Sequence, residues 1–445
     1  MDNFYLKDIE LQNFRKFDDS VYKLNPHMNV FIGRNASGKT AVLEAVTVIL
    51  GAYLAAFKEY VPARFVRNIS ENDVLRKSVQ SVKNVAVTPA VKQFPCMVSS
   101  HVTCGEEEIY CARILEKEGG RTKSVKRNLM QRFVSEWEKS IKKADGSDQT
   151  QIYPLVLYLS SARLWNENRI DEMDSIPGRT DAYQRCLDEK RGCQSAFEYI
   201  KLLGGLAAEE NNGTPLPAYT VIMDAVKFSM KDELSPGQQV LYSSRYGEIA
   251  VKNQDGTIIN FSALSDGYRN VINVVTEIAA KMCILNPYLG GDALKKTPGV
   301  VVIDELDLSL HPTWQRRIVP ILKELFPRIQ FVCATHSPFI IQSLEPGELI
   351  ALDTTLDEDY SGQSIEDIAE DIMRVPIPQY SERKRRMYEA AREYYDALEK
   401  STSRESLQKL KEKLDVLSSE YSDNPAYAAL MKQKYLEKKV EIDAE

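Results

Sequence analysis

Nowhere in the 445 residues does an apolar run reach the roughly 18 residues that a membrane span requires, so the chain is expected not to cross a bilayer. The opening MDNFYLKDIELQNF has no basic segment followed by an apolar stretch, and so no secretory signal. Seven cysteines stand singly, Cys104, Cys111, Cys186 and Cys193 among them, and no CxxC pair offers a zinc site. An odd count without a signal predicts reduced thiols and a cytoplasmic location. Positive charge is not in excess: 57 Lys and Arg against 64 Asp and Glu leave a net charge of −7. That balance disfavours a protein that coats nucleic acid and leaves room for contact through a local basic patch. Internal repeats and sustained heptads are absent as well, which excludes a solenoid and a long coiled coil.

What is present is an ordinary globular composition, 43% hydrophobic and 27% charged, at a length that predicts two or three compact units. Residues 5–14 and 28–32 read as strands, 41–54 as a helix, and 83–115 as alternating strands with CGEEE at a turn. A basic run follows, with Lys117, Arg121, Lys123, Lys126, Arg127, Arg132, Lys139, Lys142 and Lys143. Residues 155–159 form a short apolar strand before SSARLW, and 163–213 read as mixed and largely helical. Residues 242–259 alternate around NQDG as a hairpin should. Two continuous apolar runs, 299–303 and 329–334, flank a helical stretch at 313–325, which Pro320 should kink or restart. Strand, helix, strand with fully apolar strands predicts a buried parallel sheet, and hence an α/β protein. The expected units are 1–130, 131–240 (mostly a helical insertion), 241–355, and a charged helical tail at 356–445.

GRNASGKT, residues 33–40, fits G-x-x-x-x-G-K-[ST] between an apolar strand and a helix. Its backbone N–H groups, from Gly33, Arg34, Asn35, Ala36, Ser37 and Gly38 onward, are expected to cradle phosphate. Lys39 should reach the β- and γ-phosphates and Thr40 should ligate Mg²⁺, while the next residue, Ala41, offers no ligand. The buried run at 299–303 ends in Asp304-Glu305, then Asp307. Asp304 is predicted to hold Mg²⁺, directly or through water, and Glu305 to polarise the attacking water. His336, after the next apolar run, arrives at the same sheet edge and can sense the γ-phosphate; His311 and His101 have no such context.

NFRKF, GRNASGKT, ALSDGYRN, VVIDELDLSLHP and THSPF occur in one order that resembles the ABC-type ATPase heads of the RecF and structural-maintenance-of-chromosomes group. The resemblance implies an ABC-ATPase-like head with a mixed or parallel sheet core and an antiparallel β lobe, binding ATP and Mg²⁺. It also implies that Ser265 and the amides near Gly267 complete the site of a partner copy, that Asp307 crosses the same interface, and that Arg269 supports the signature helix. Gln93 and Asp73 both remain open for the family's glutamine loop. The gap from Thr40 to Leu264, about 224 residues, lacks the long coiled coil of the chromosome proteins. The OLD-family nucleases continue into a metal-dependent nuclease domain after this head. Only about 109 residues follow His336 here, with Asp353, Asp357 and Asp359 in no strand context, so no intrinsic nuclease is expected.

SSARLW, GRTDAYQRCLD, LNPYLG and VVIDELDLSLHPTWQRR narrow the likeness to the ATPases of bacterial anti-phage systems of the Septu type, the PtuA family. That resemblance implies a homodimer or higher homo-oligomer controlling a separate HNH nuclease of the PtuB kind. In relatives a retron reverse transcriptase and its msDNA accompany it. The alternative is a RecF-like repair ATPase acting on DNA directly, which the basic run at 117–143 keeps open.

Overall fold

The computed structural model describes residues 3–57, 61–78, 90–125, 151–164, 175–189, 194–210, 212–243, 247–263, 265–353, 362–375, 380–399 and 404–418, with positions 173, 360 and 378. They form two compact units, Met1–Gln363 and Ser364–Glu445. Among the described residues the first unit carries sixteen strands: β1 (Phe4–Leu6), β2 (Asp8–Phe14), β3 (Phe17–Lys23), β4 (Met28–Ile32), β5 (Arg76–Ser78), β6 (Ala90–Lys92), β7 (Cys96–Cys104), β8 (Glu107–Leu115), β9 (Lys123–Val125), β10 (Leu155–Leu159), β11 (Gln239–Ser243), β12 (Glu248–Lys252), β13 (Ile258–Asn260), β14 (Gly299–Ile303), β15 (Ile329–Ala334) and β16 (Leu349–Ala351).

The core is a five-stranded sheet in the order β10-β14-β15-β4-β16, every pair parallel. All residues of β4, β10, β14 and β15 are buried, which is why these strands read as unbroken apolar runs: a sheet covered on both faces has no side to give to water. The one amide inside β15 is spoken for. Gln330 accepts from the Leu6 N–H at 2.8 Å and donates to the Leu6 carbonyl at 2.7 Å, tying the parallel sheet to β1. A second sheet, antiparallel in the order β3-β2-β7-β8-β9, receives β1 alongside β7. Helix α1 (Lys39–Leu54) contacts strands of both sheets and is buried along almost its whole length.

Helices α2 (Gln194–Glu210) and α3 (Pro217–Ser229) pack with α4 (Asp266–Leu285), which is buried from Asn270 to Leu285 except at Asn273. Arg179 closes the far end of α4: Nε donates to the Leu285 carbonyl at 2.6 Å, and the guanidinium lies 3.8 Å from the centre of the Tyr153 ring. The NQDG turn joins β12 to β13 as the alternation predicts. Between β14 and β15 the chain makes a short turn at Pro312–Gln315 and restarts as α5 (Ile318–Leu325), with Pro320 in the first turn of the new helix, where its missing N–H costs nothing. Six cysteines are free and buried; burial pushes the Cys96 and Cys104 thiols up to about 12.

Within the expected insertion at 131–240, β10 forms an edge of the core sheet, and residues 126–150 lie outside the described residues. The second compact unit begins at Ser364. The Tyr360 hydroxyl accepts from the Leu349 N–H at 2.9 Å and donates to the Glu345 carbonyl at 2.8 Å, holding residue 360 to the first unit. The second unit contains α6 (Glu382–Glu399) and α7 (Arg404–Ser418), which pack on each other. Met387, Ala390, Ala391 and Tyr394 form a buried stripe at helical spacing, and Lys413 pairs with Glu393 at 2.7 Å. Residues 419–445 of the expected helical tail lie outside the described residues. Among the described residues no helix is long and apolar enough to cross a membrane.

Candidate functional site

The parallel sheet order places β14, β15 and β4 side by side, so the loops leaving their C-terminal ends converge. There they line a cavity of ≈ 280 Å³ made by Arg15, residues 35–41, Asp304, Glu305, Ala334 and His336. In the loop before α1, Ala36 and Gly38 adopt positive φ, 64° and 103°. At Gly38 a Cβ would lie 2.7 Å from the Phe17 ring and 2.8 Å from the Lys16 side chain, so both conformation and space demand glycine. The Ser37 hydroxyl is buried with no hydrogen-bond partner, the state of a loop shaped for something it does not itself contain. Lys39, 8% exposed, donates to the Gly33 carbonyl at 2.7 Å and the Arg34 carbonyl at 3.4 Å. Burial pushes its ammonium below the ordinary lysine value, against the opposing pull of Asp304, Asp353, Asp307 and Glu305.

The Thr40 hydroxyl and the Asp304 carboxylate meet at 3.2 Å. Two hard oxygen donors at that separation, one anionic, suit Mg²⁺. Burial raises the Asp304 carboxyl above its usual range and the neighbouring Glu305 charge adds to this; the bonds from Thr40 and from the Glu305 N–H partly oppose it. A carboxyl raised in the folded state holds its proton more tightly folded than unfolded. Its contribution to stability is therefore present at low pH and lost as pH climbs through the folded pKa. Asp304→Asn is accordingly expected to raise the melting temperature of the ligand-free protein at pH 7 by about 2 °C while removing Mg²⁺-dependent turnover. Scanning fluorimetry checks this, and a lower melting temperature would contradict it.

Glu305 is exposed and sits at φ 49°, a left-handed conformation that turns it sharply out of the strand. His336 lines the same cavity. Asp307 takes a role within its own chain: its Oδ1 accepts from the Thr335 hydroxyl at 2.6 Å and from the His336 N–H at 3.1 Å, fixing the histidine loop to the carboxylate loop. These bonds engage one of the two carboxylate oxygens.

NFRKF contributes residues to which the sequence reading gave no role. The tight turn from β2 to β3 holds Arg15 at φ 52° on the cavity wall, where it pairs with Glu44 and, at 3.0 Å, with Asp73; Lys16 donates to the Ala36 carbonyl at 2.9 Å. Asp73, one of the two glutamine-loop candidates, is fully buried and accepts from Arg15, Arg67 and Ser70, so it is a structural anchor. Gln93, the other, is bonded to the Val91 carbonyl and does not line the cavity. Asp353 follows β16, and its carboxylate accepts from the Arg34 N–H at 3.0 Å, which makes it part of the loop's support; Asp357 and Asp359 lie outside the described residues. His311 caps the Pro312–Gln315 turn, and His101 pairs with Asp8 at 2.8 Å.

Leu264 lies outside the described residues, but the rest of the signature is described. Ser265 is the N-cap of α4, exposed, with no side-chain cap bond, so the ordinary capping role of such a serine is not used. Gly267 is buried against the loop that follows the carboxylates: a Cβ there would lie 2.9 Å from the Ser309 carbonyl oxygen. Arg269 pairs with Asp266 at 3.0 Å, which steadies the first turn. Neither Ser265 nor Gly267 lines the cavity around Lys39 in the same chain. Of the basic run, Lys126, Arg127, Arg132, Lys139, Lys142 and Lys143 lie outside the described residues, and Lys123 pairs with Glu116 at 2.5 Å.

A parallel core with a phosphate loop before a buried helix, paired carboxylates on the second strand away and an antiparallel lobe match the layout expected of an ABC/AAA-type ATPase head. Residues 8–212 match the profile of an AAA domain, and residues 122–342 match "AAA domain, putative AbiEii toxin, Type IV TA system". The chain is 31% identical over 138 residues to the Septu protein PtuA of Bacillus thuringiensis, a match covering 28% of this chain and 35% of that protein. It is 21% identical over 392 residues to the Retron Ec83 probable ATPase of Escherichia coli, covering 76% of this chain and 69% of that protein. The match thus spans about a third of the length of the first relative. Among solved structures, the SMC head domain from Thermotoga maritima aligns at 15% identity and a TM-score of 0.42, covering 78% of this chain and 94% of that one.

Proposed function

We propose that this chain is the ATP-binding and ATP-hydrolysing regulatory subunit of a bacterial anti-phage defence complex. In it two copies close on ATP and control a separate HNH nuclease of the PtuB kind. The relatives named Septu protein PtuA and Retron Ec83 probable ATPase support the setting. The word retron in the second name supports testing the expected reverse transcriptase and msDNA as partners. Lys39 and the loop amides hold the triphosphate, and Glu305 accepts a proton from the attacking water while His336 holds the water or the γ-phosphate in line. Mg²⁺ held by Thr40 and Asp304 would offset phosphate charge.

One observation carries the two-copy reading: Ser265 stands exposed at a helix N-terminus with its hydroxyl unused by the cap and outside its own chain's cavity. A hydroxyl beside free helix N–H groups is an anion grip, and another copy's triphosphate suits it. Mixing Ser265→Arg protein with Lys39→Ala protein tests this, because each heterodimer regains one intact composite site. Turnover should rise from near zero in either parent to a measurable value, at most about half the wild-type value per dimer, at full heterodimer formation. No recovery in a mixture shown by light scattering to form heterodimers would defeat the shared-site reading. Co-expression with an HNH partner followed by affinity capture tests the nuclease assignment.

A further inference from the structure

Arg163, in SSARLW, makes a set of contacts that holding a nucleotide does not require. It is 3% exposed, and its guanidinium reaches four oxygens on three parts of the chain. Nη1 donates to the carbonyls of Ser160 at 3.0 Å and Asp304 at 2.6 Å, Nη2 to the carbonyl of Glu305 at 2.9 Å, and Nε to Oδ1 of Asn270 at 2.9 Å. Asn270, 2% exposed on α4, passes the link on: its Nδ2 donates to the Leu308 carbonyl at 2.7 Å. Three carbonyls of the carboxylate loop are therefore held by two buried side chains. The loop needs holding, since Glu305 and Ser309 both sit at positive φ, 49° and 57°, which a Cβ disfavours. Asn270 lies five residues beyond Ser265 in the same helix, and Gly267 between them abuts the Ser309 carbonyl. The signature turn and the catalytic loop of one chain are thus joined through packed, fully bonded groups.

We infer that Arg163 and Asn270 are positioning residues that couple two nucleotide sites: load on Ser265 from one ATP is transmitted to the Glu305 peptide, which works on the other ATP. This rests on the shared-site reading. Capture of a partner's nucleotide sets the α4 N-terminus, and the Asn270–Leu308 and Arg163–Glu305 bonds carry that setting to the base. Hydrolysis at one site then reports the filling of the other, and the reciprocity of coupling makes the effect mutual for binding.

Asn270→Asp tests the link, since it keeps the acceptor for Arg163 Nε and removes the donor to Leu308; Arg163→Lys keeps the charge and cannot span two carbonyls. Fluorescent-ATP affinity should stay within about twofold, kcat should fall about tenfold, and the Hill coefficient for ATP should drop from about 2 to about 1. Joint loss of ATP binding, melting temperature and turnover in both variants would show a merely structural role and overturn the inference. So would wild-type kcat and cooperativity in both, or a wild-type Hill coefficient of about 1 in a protein that dimerises on ATP. Light scattering of Glu305→Gln with ATP separates the two failures. Absence of a dimer sinks the shared site itself, whereas a dimer with cooperative Asn270→Asp turnover sinks only the coupling.

Discussion

Lys39→Ala is expected to abolish ATP binding. The ammonium is buried and spends its hydrogen bonds on the Gly33 and Arg34 carbonyls of its own loop. Burial depresses its pKa, so a phosphate that takes the place of those carbonyls gives the desolvated lysine a direct anionic hydrogen-bond partner. Loss of a charge-assisted, desolvated contact of this kind costs about 3 kcal/mol or more, which is at least about 100-fold in affinity. The fold itself should survive, because the change removes a desolvated cation and leaves α1 packed on both sheets. Titration with a fluorescent ATP analogue reads the effect directly, and an affinity within threefold of wild type would defeat the assignment of residues 33–40.

Glu305→Gln acts at the other end of the reaction. Its amide cannot take a proton from water, and turnover should fall by about 10²- to 10⁴-fold. ATP affinity should hold, because neither Lys39 nor Thr40 is touched. The variant should accumulate as a closed dimer in ATP, visible as a doubling of mass by light scattering. Removing the Glu305 charge also relieves one of the two causes that raise Asp304, so the trapped protein should be more stable, not less. Turnover at the wild-type rate would show that a different group serves as base.

The two variants probe parts of the molecule that the amino-acid order discloses to different degrees. The phosphate loop and the parallel strands were legible because each depends on neighbours in sequence: a glycine-rich turn between an apolar strand and a helix, or an apolar run too long to face water. The supporting contacts were not legible. Asp73 is an acidic residue in a polar stretch until the fold lays Arg15 and Arg67 against it. Asp307 looks like an exposed loop carboxylate, yet Thr335 and His336, nearly thirty positions away in the chain, engage it. Arg163 is separated from Asn270 by 107 positions and from Asp304 by 141, and nothing periodic links them. The SSAR segment after the strand at 155–159 signals a strand end, and only the sheet order reveals which loop lies beside it. The place of residue 360 in the first unit is hidden for a similar reason, since it rests on one tyrosine hydroxyl meeting the backbone of residues 345 and 349.

The neighbouring placement of β14, β15 and β4 has an evolutionary consequence. Residues 39, 304, 305 and 336 are carried by three adjacent ribbons, so any part of the excursions joining those ribbons that leaves supporting residues such as Arg163 and Asn270 in place can grow or shrink without disturbing the chemistry. Each doubling of an unstructured excursion adds only about 0.6 kcal/mol of closure entropy. One such architecture can accordingly host arms, caps or docking modules of very different size between the first ribbon and the second, and diversify its partners while the engine stays fixed.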